Sequence, residues 1–137
     1  MRRMMLVLAT MTVVVVVLVA GGVALAAVIT GTDNDETLIG TRYADLIRAE
    51  GGNDIVRGLG GPDDLYGNGA NDRVDGGNGE DELFGGFGND RLYSEDIFSQ
   101  SGAYRDVVNC GPGRDFASVD FKDVVRENCE VVGVAIP

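Results

Sequence analysis

Residues 31–93 read GTDNDETLI, GTRYADLIR, AEGGNDIVR, GLGGPDDLY, GNGANDRVD, GGNGEDELF and GGFGNDRLY, seven units of nine residues with no insertion between them. Position six of successive units holds Glu36, Asp45, Asp54, Asp63, Asp72, Asp81 and Asp90. Position eight holds Leu38, Ile47, Val56, Leu65, Val74, Leu83 and Leu92, and glycine gathers in positions one to four. A flexible Gly/Asp-rich linker has no reason to keep seven acids and seven aliphatic residues in phase. A fixed short period is the mark of a solenoid, in which each unit buries its apolar face only by stacking on its neighbours.

Each position has a mechanical role. The first six residues of a unit must turn sharply, which suits glycine pairs such as Gly51-Gly52, Gly60-Gly61, Gly76-Gly77 and Gly85-Gly86. The last three predict a very short strand with position eight facing inward and positions seven and nine facing out, where Arg73, Glu82 and Arg91 are solvated. Strand, turn, returning strand and turn make one flattened coil from two units. Stacked coils then form two parallel sheets around a column of Leu, Val and Ile. That column is thin for 63 residues of glycine-rich chain, and the acids align along each edge, where they repel. A cation between successive loops cancels the repulsion and cross-links the turns. The donors on offer are carboxylates, Asn side chains and loop carbonyls, all hard oxygen ligands, and these select Ca²⁺ over zinc, copper or iron. The alternative is a set of plain Gly/Asn/Asp turns that need no metal.

The units resemble the RTX nonapeptide family, the GGxGxDxUx repeats of secreted bacterial toxins, proteases and lipases. Gly76–Phe84 and Gly85–Tyr93 match best, followed by Ala49–Arg57 and Gly58–Tyr66. The resemblance implies an all-β fold, a parallel β-roll with calcium held between loops on one edge by position-six carboxylates and loop carbonyls. Loops two units apart share an edge, so one edge carries Glu36, Asp54, Asp72 and Asp90, and the other Asp45, Asp63 and Asp81. The candidate metal ligands are Asp45, Asp54, Asp63, Asp72, Asp81 and Asp90. The first two units depart from the pattern: Asn34 and Glu36 replace Gly and Asp, and Arg42-Tyr43 stands where a Gly pair is usual. Sites are therefore expected at the Asp54/Asp72, Asp72/Asp90 and Asp63/Asp81 pairs.

Beyond Tyr93 the period decays. Ser94–Gln100 is an irregular insertion, after which SGAYRDVVN (101–109) and CGPGRDFAS (110–118) return to phase with Asp106 and Asp115 at position six and Val108 and Ala117 at position eight. Phe121–Val125 and Cys129–Val132 read as shortened further units. Phe116, Phe121 and Val124 are expected to plug the open end of the roll. Cys110 and Cys129 lie 19 residues apart, close to one 18-residue coil, which suggests an intramolecular disulfide. Intermolecular pairing and free thiols are the alternatives.

The chain starts with Met1-Arg2-Arg3, an apolar run from Met4 to Ala20, Gly21-Gly22 and the small-x-small triplet Ala24-Leu25-Ala26. This is the layout of a Sec-type export signal cleaved after Ala26 or Ala27, with a retained membrane anchor as the alternative. The expected organisation is a signal peptide over 1–26, the calcium-binding roll over 27–93 and a disulfide-stapled cap of decayed repeats over 94–137. Removing the signal takes Arg2 and Arg3 with it and leaves 9 basic against 22 acidic residues, a net charge of −13. Such an acidic chain is a poor partner for nucleic acid, whose phosphates need clustered Lys and Arg. The sequence has no His, so Ser–His and Cys–His catalysis are absent, and the period accounts for nearly every repeat carboxylate. No enzymatic activity is expected. The expected function is that of a secreted calcium-binding protein whose folding calcium drives. The alternative is a cell-surface or matrix module, adhesin-like, that uses the calcium-stiffened roll as a scaffold. A membrane is a partner only if the N-terminal segment is retained as an anchor outside the cell.

Overall fold

A residue whose side chain alternates in and out every second position, repeated every nine residues, can satisfy its backbone only through neighbours one full coil away. The computed structural model, which describes residues 14–20, 23–96, 104–126 and 128–134, has this arrangement. Residues 1–13, which hold most of the expected export signal, residues 97–100 of the insertion and Ser101 to Ala103 lie outside the described residues.

Among the described residues the fold is all strand, with no helix. Strands β1 (Val14–Ala20), β2 (Val23–Thr30), β4 (Leu46–Arg48), β6 (Asp64–Gly69), β8 (Glu82–Phe87), β10 (Val107–Asn109) and β12 (Val124–Val125) lie in that order in one sheet. The second sheet holds β3 (Thr37–Ile39), β5 (Ile55–Gly60), β7 (Arg73–Asn78), β9 (Arg91–Tyr93), β11 (Phe116–Val119) and β13 (Val131–Val134). Successive units therefore alternate between sheets, and two units make one coil of a parallel β-solenoid. Within the repeats the register is i to i+18: Leu38 pairs with Val56, Val56 with Val74, Ile47 with Leu65 and Leu65 with Leu83. All seven position-eight side chains are buried, as are Val108 and Ala117 in the decayed units.

The strands are longer than three residues where the loops are glycine-rich. β5 to β8 each run six residues, into positions one to three of the next unit, and pairs such as Leu59 with Gly77 and Asn68 with Gly86 extend the ladder. The bend between the two halves of such a strand sits at position two, which adopts the left-handed conformation even when occupied by Leu59 or Asn68; Glu50, at position two after the three-residue β4, is left-handed as well. Outward-facing rows stack between coils: Tyr66 lies on Phe84 with ring centroids 4.7 Å apart, and the Arg73 guanidinium sits 4.1 Å over Tyr93.

At the C-terminal end the decayed units keep both phase and sheet. β10 pairs with β8 and β12, and β11 with β9 and β13. The expected plug is different in kind. Phe121 is 62 % exposed, and Phe116 occupies the outward position seven, its ring 6.2 Å from that of Tyr93. Strand alternation sends Ala117 inward instead, and the core ends on Val108, Ala117, Val119 and the Cys110–Cys129 disulfide, with Val125 packed against it. The disulfide joins two coils with Cα atoms 5.2 Å apart. Replacing both cysteines by Ser removes that tie from a 19-residue loop, worth about 3 kcal/mol in the chain-entropy picture. The double variant in saturating calcium is expected to melt lower and to oligomerise through the loosened end on size-exclusion chromatography. Parent-like melting and elution would show that the cap holds without it.

At the other end β1 and β2 form an antiparallel hairpin, and β2 continues the sheet through parallel pairing of Val28–Thr30 with Leu46–Arg48. No helix among the described residues is long and apolar enough to cross a membrane.

Candidate metal centre

The position-six carboxylates point inward along the two edges and are buried, each at most 4 % exposed from Glu36 to Asp90. A buried carboxylate needs donors, and one oxygen of each finds a donor in the neighbouring coil. Glu36 N donates to Asp54 Oδ1, Asp54 N to Asp72 Oδ1, Asp72 N to Asp90 Oδ1 and Asp90 N to Asp115 Oδ1, all at 2.7–2.8 Å. Asp45 N, Asp63 N and Asp81 N donate at 2.8 Å to Asp63, Asp81 and Asp106 on the opposite edge. The two edges hold the acids expected from the two-unit coil.

The second oxygen divides the loops into two kinds. In the first two units position two is threonine. Thr32 N and Oγ1 donate to the two oxygens of Glu36, and Thr41 N and Oγ1 donate to the two oxygens of Asp45. In units three to seven positions two and four are both left-handed: Glu50 and Gly52, Leu59 and Gly61, Asn68 and Ala70, Gly77 and Gly79, Gly86 and Gly88. In these loops Oδ2 of Asp54, Asp63, Asp72, Asp81 and Asp90 is buried with no hydrogen-bond partner, and the same holds for Asp106, Asp115 and Asp120 in the cap. Five of the six candidate ligands thus carry an orphaned oxygen, and Asp45 does not. Glycine at position one makes room for the carboxylate: a Cβ at Gly76 or Gly85 would come within 2.6 Å of Oδ2 of Asp81 or Asp90.

These unpaired oxygens disfavour the charged form. Burial pushes the carboxyls of Asp63 and Asp106 up to about 8, Asp72 to about 7, and Asp54, Asp81 and Asp90 to about 6. The main-chain donor of the preceding rung pulls each back, and neighbouring carboxylates push it further up: Asp81 and Asp45 on Asp63, Asp90 and Asp54 on Asp72. A row of buried acids that are short of donors fits a hard divalent cation. Among the described residues no three Asp, Glu or Cys side chains converge on one point, so a cation here would need main-chain oxygens of the loops as well as carboxylates.

A feature missed in the sequence stands outside this row. Position five carries a polar ladder on one edge: Asn53 N donates to Asp35 Oδ1, Asn71 N to Asn53 Oδ1, Asn89 N to Asn71 Oδ1 and Arg114 N to Asn89 Oδ1. The recurrent Asn-Asp pair at 53–54, 71–72 and 89–90 was its signal. The opposite edge has Ala44, Pro62 and Glu80 at position five, so the two edges are chemically unlike.

Residues 30–65 and 57–92 each match the model of the RTX calcium-binding nonapeptide repeat (4 copies). Residues 30–92 thus carry repeats of this type, and calcium is the cation that such repeats bind. No curated protein and no solved structure matches the chain.

The two kinds of loop predict unequal roles. Asp72 carries an orphaned oxygen and joins the rungs of Asp54 and Asp90, whereas Thr32 satisfies Glu36. Asp72→Ala is expected to lower calcium stoichiometry and affinity in isothermal titration, and Glu36→Ala to leave the stoichiometry closer to that of the parent. Equal losses would show that the threonine-capped loops take part in binding.

Proposed function

We propose that this protein is a secreted, non-catalytic calcium-binding β-roll whose folding is driven by calcium at the loops of units three to seven. The observation that carries the reading is the repetition of one loop geometry with one orphaned, buried carboxylate oxygen, at Asp54, Asp63, Asp72, Asp81 and Asp90. Calcium supplies there the positive charge that the chain lacks. The residues do the rest: position-six main-chain nitrogens hold Oδ1 of the next rung and fix each carboxylate, left-handed positions two and four shape the loop, and the position-eight column keeps successive loops in register. Export is supported by the basic start, apolar run and small-x-small triplet, and by the family, whose members are typically secreted. The test is a calcium titration of the processed chain followed by circular dichroism and calorimetry. A saturable gain of β-structure with calcium, not reproduced by magnesium, supports the reading. A chain that is fully folded without calcium and binds none overturns it.

A further inference from the structure

On the edge that carries Asp45, Asp63 and Asp81, the carboxylate ladder starts from a main-chain nitrogen outside the repeats. Ala27 N donates to Asp45 Oδ1 at 2.6 Å in a buried contact, while Thr41 Oγ1 reaches the same oxygen at 3.1 Å and Thr41 N reaches Oδ2 at 2.5 Å. Ala27 is itself 2 % exposed. Its place is that of a position-six residue one coil before Asp45. The paired register of the roll begins directly after it, with Val28 on Leu46, Ile29 on Ile47 and Thr30 on Arg48. β1, by contrast, pairs with β2 alone. The triplet Ala24-Leu25-Ala26 ends immediately before this boundary.

We propose that the Ala26–Ala27 peptide bond is the processing site, and that Asp45 is the receptor for the α-ammonium released there, so that the mature N-terminus starts the ladder as a buried ion pair. The proposal rests on the export reading above. Water supplied to an export peptidase breaks the C–N bond. Its oxygen stays on the Ala26 carboxylate, and its protons leave Ala27 as an ammonium. Cleavage during export precedes folding, so the burial of Ala27 in the finished roll does not impede it. A peptide N–H brings Asp45 one neutral hydrogen bond; an ammonium at the same nitrogen brings a charge-assisted one, which is shorter and about twice as strong. Cleavage one bond later, at Ala27–Val28, removes the nitrogen that Oδ1 uses and starts the chain on a residue of opposite strand facing.

The test uses the full-length gene, exported and purified in calcium. Intact mass is expected to correspond to residues 27–137. Lys122 is the only lysine, so acetylation in denaturant followed by refolding in calcium modifies two amines at most. Acetylation is expected to lower Tm by about 4–8 °C in the parent and to change it little in D45N, whose comparison also cancels the effect of Lys122. Retention of residues 1–26 would overturn processing, and with it the secreted form and this proposal, in favour of a retained anchor. Cleavage at another bond would leave export standing and overturn the proposal. Correct cleavage with equal effects of acetylation in parent and D45N would overturn the ion pair.

Discussion

Withdrawing calcium with EDTA at pH 8 is expected to abolish most of the β-sheet circular dichroism signal of the processed chain, and acidification toward pH 5 in EDTA to restore part of it. The first half follows from charge: residues 27–137 carry −13, and the position-six carboxylates of units three to seven each keep one oxygen unpaired. At ten times the dissociation constant each filled site contributes about 1.4 kcal/mol, and the three sites at the Asp54/Asp72, Asp72/Asp90 and Asp63/Asp81 pairs together about 4 kcal/mol, a large share of the stability of a small domain. The second half follows from the raised carboxyls. Asp54, Asp81 and Asp90 titrate in the folded chain at about 6, Asp72 at about 7, and Asp63 and Asp106 at about 8, against an ordinary 3.8. The folded, calcium-free chain therefore holds protons that the unfolded chain has released. The stability this gives is fully present below about pH 4 and is lost as pH rises through 6 to 8. Calcium replaces those protons, so its binding tightens as pH rises over the same window and the gap in Tm between calcium and EDTA widens. Identical spectra in calcium and EDTA at pH 8, or an EDTA form that gains stability from pH 5 to 8, would sink this account.

The second large effect is expected from a single methyl group. Gly88, at position four of the seventh unit, has φ +133, and a Cβ there would stand 2.5 Å from the Ala70 carbonyl carbon and overlap its oxygen. Ala70 is the matching residue of the coil beneath, and neither backbone can retreat without opening the ladder on both sides. Gly88→Ala is expected to cost about 3 kcal/mol or more, combining an unfavourable left-handed conformation with overpacking. Gly60 is the control. It has no positive φ, and its nearest atoms to an added Cβ are Asn78 O at 3.6 Å and Arg42 Cα at 3.9 Å. Gly60→Ala is expected to change stability by less than about 1 kcal/mol, partly offset by the restricted unfolded chain. Urea unfolding of both variants in saturating calcium separates the two cases. Similar losses would mean that glycine content, rather than the approach of stacked loops, sets the stability.

Much of this architecture was legible because the repeat is a one-dimensional code. A nine-residue period with one aliphatic and one acidic position leaves a single way to bury the first and align the second, so the inward column from Leu38 to Leu92, the alternation of sheets and the division of acids between edges all follow from spacing. The phase also carried across the insertion: Asp81 N and Asp90 N reach Asp106 and Asp115 over 25 residues, one coil plus the seven inserted. The same reasoning misjudged Phe116 and Phe121, because aromatic size suggested a plug where strand alternation turns Phe116 outward and Phe121 sits exposed in the turn between β11 and β12.

What the amino-acid sequence determined by itself was therefore the period, the facing of each side chain and the oxygen-rich character of the loops, since these depend only on neighbours along the chain and on the two-residue strand repeat. Which loops are short of donors was decided by the tertiary structure. The first two units already depart from the pattern in the sequence, but that Thr32 and Thr41 satisfy both oxygens of Glu36 and Asp45 is visible only in the fold. Asp54 to Asp90 keep an orphan, in loops whose positions two and four are left-handed and whose position two is not threonine. The reason is physical: whether a buried carboxylate oxygen has a partner depends on where main-chain N–H groups point after the coils have stacked, and that direction is set by the dihedral angles of the folded loop.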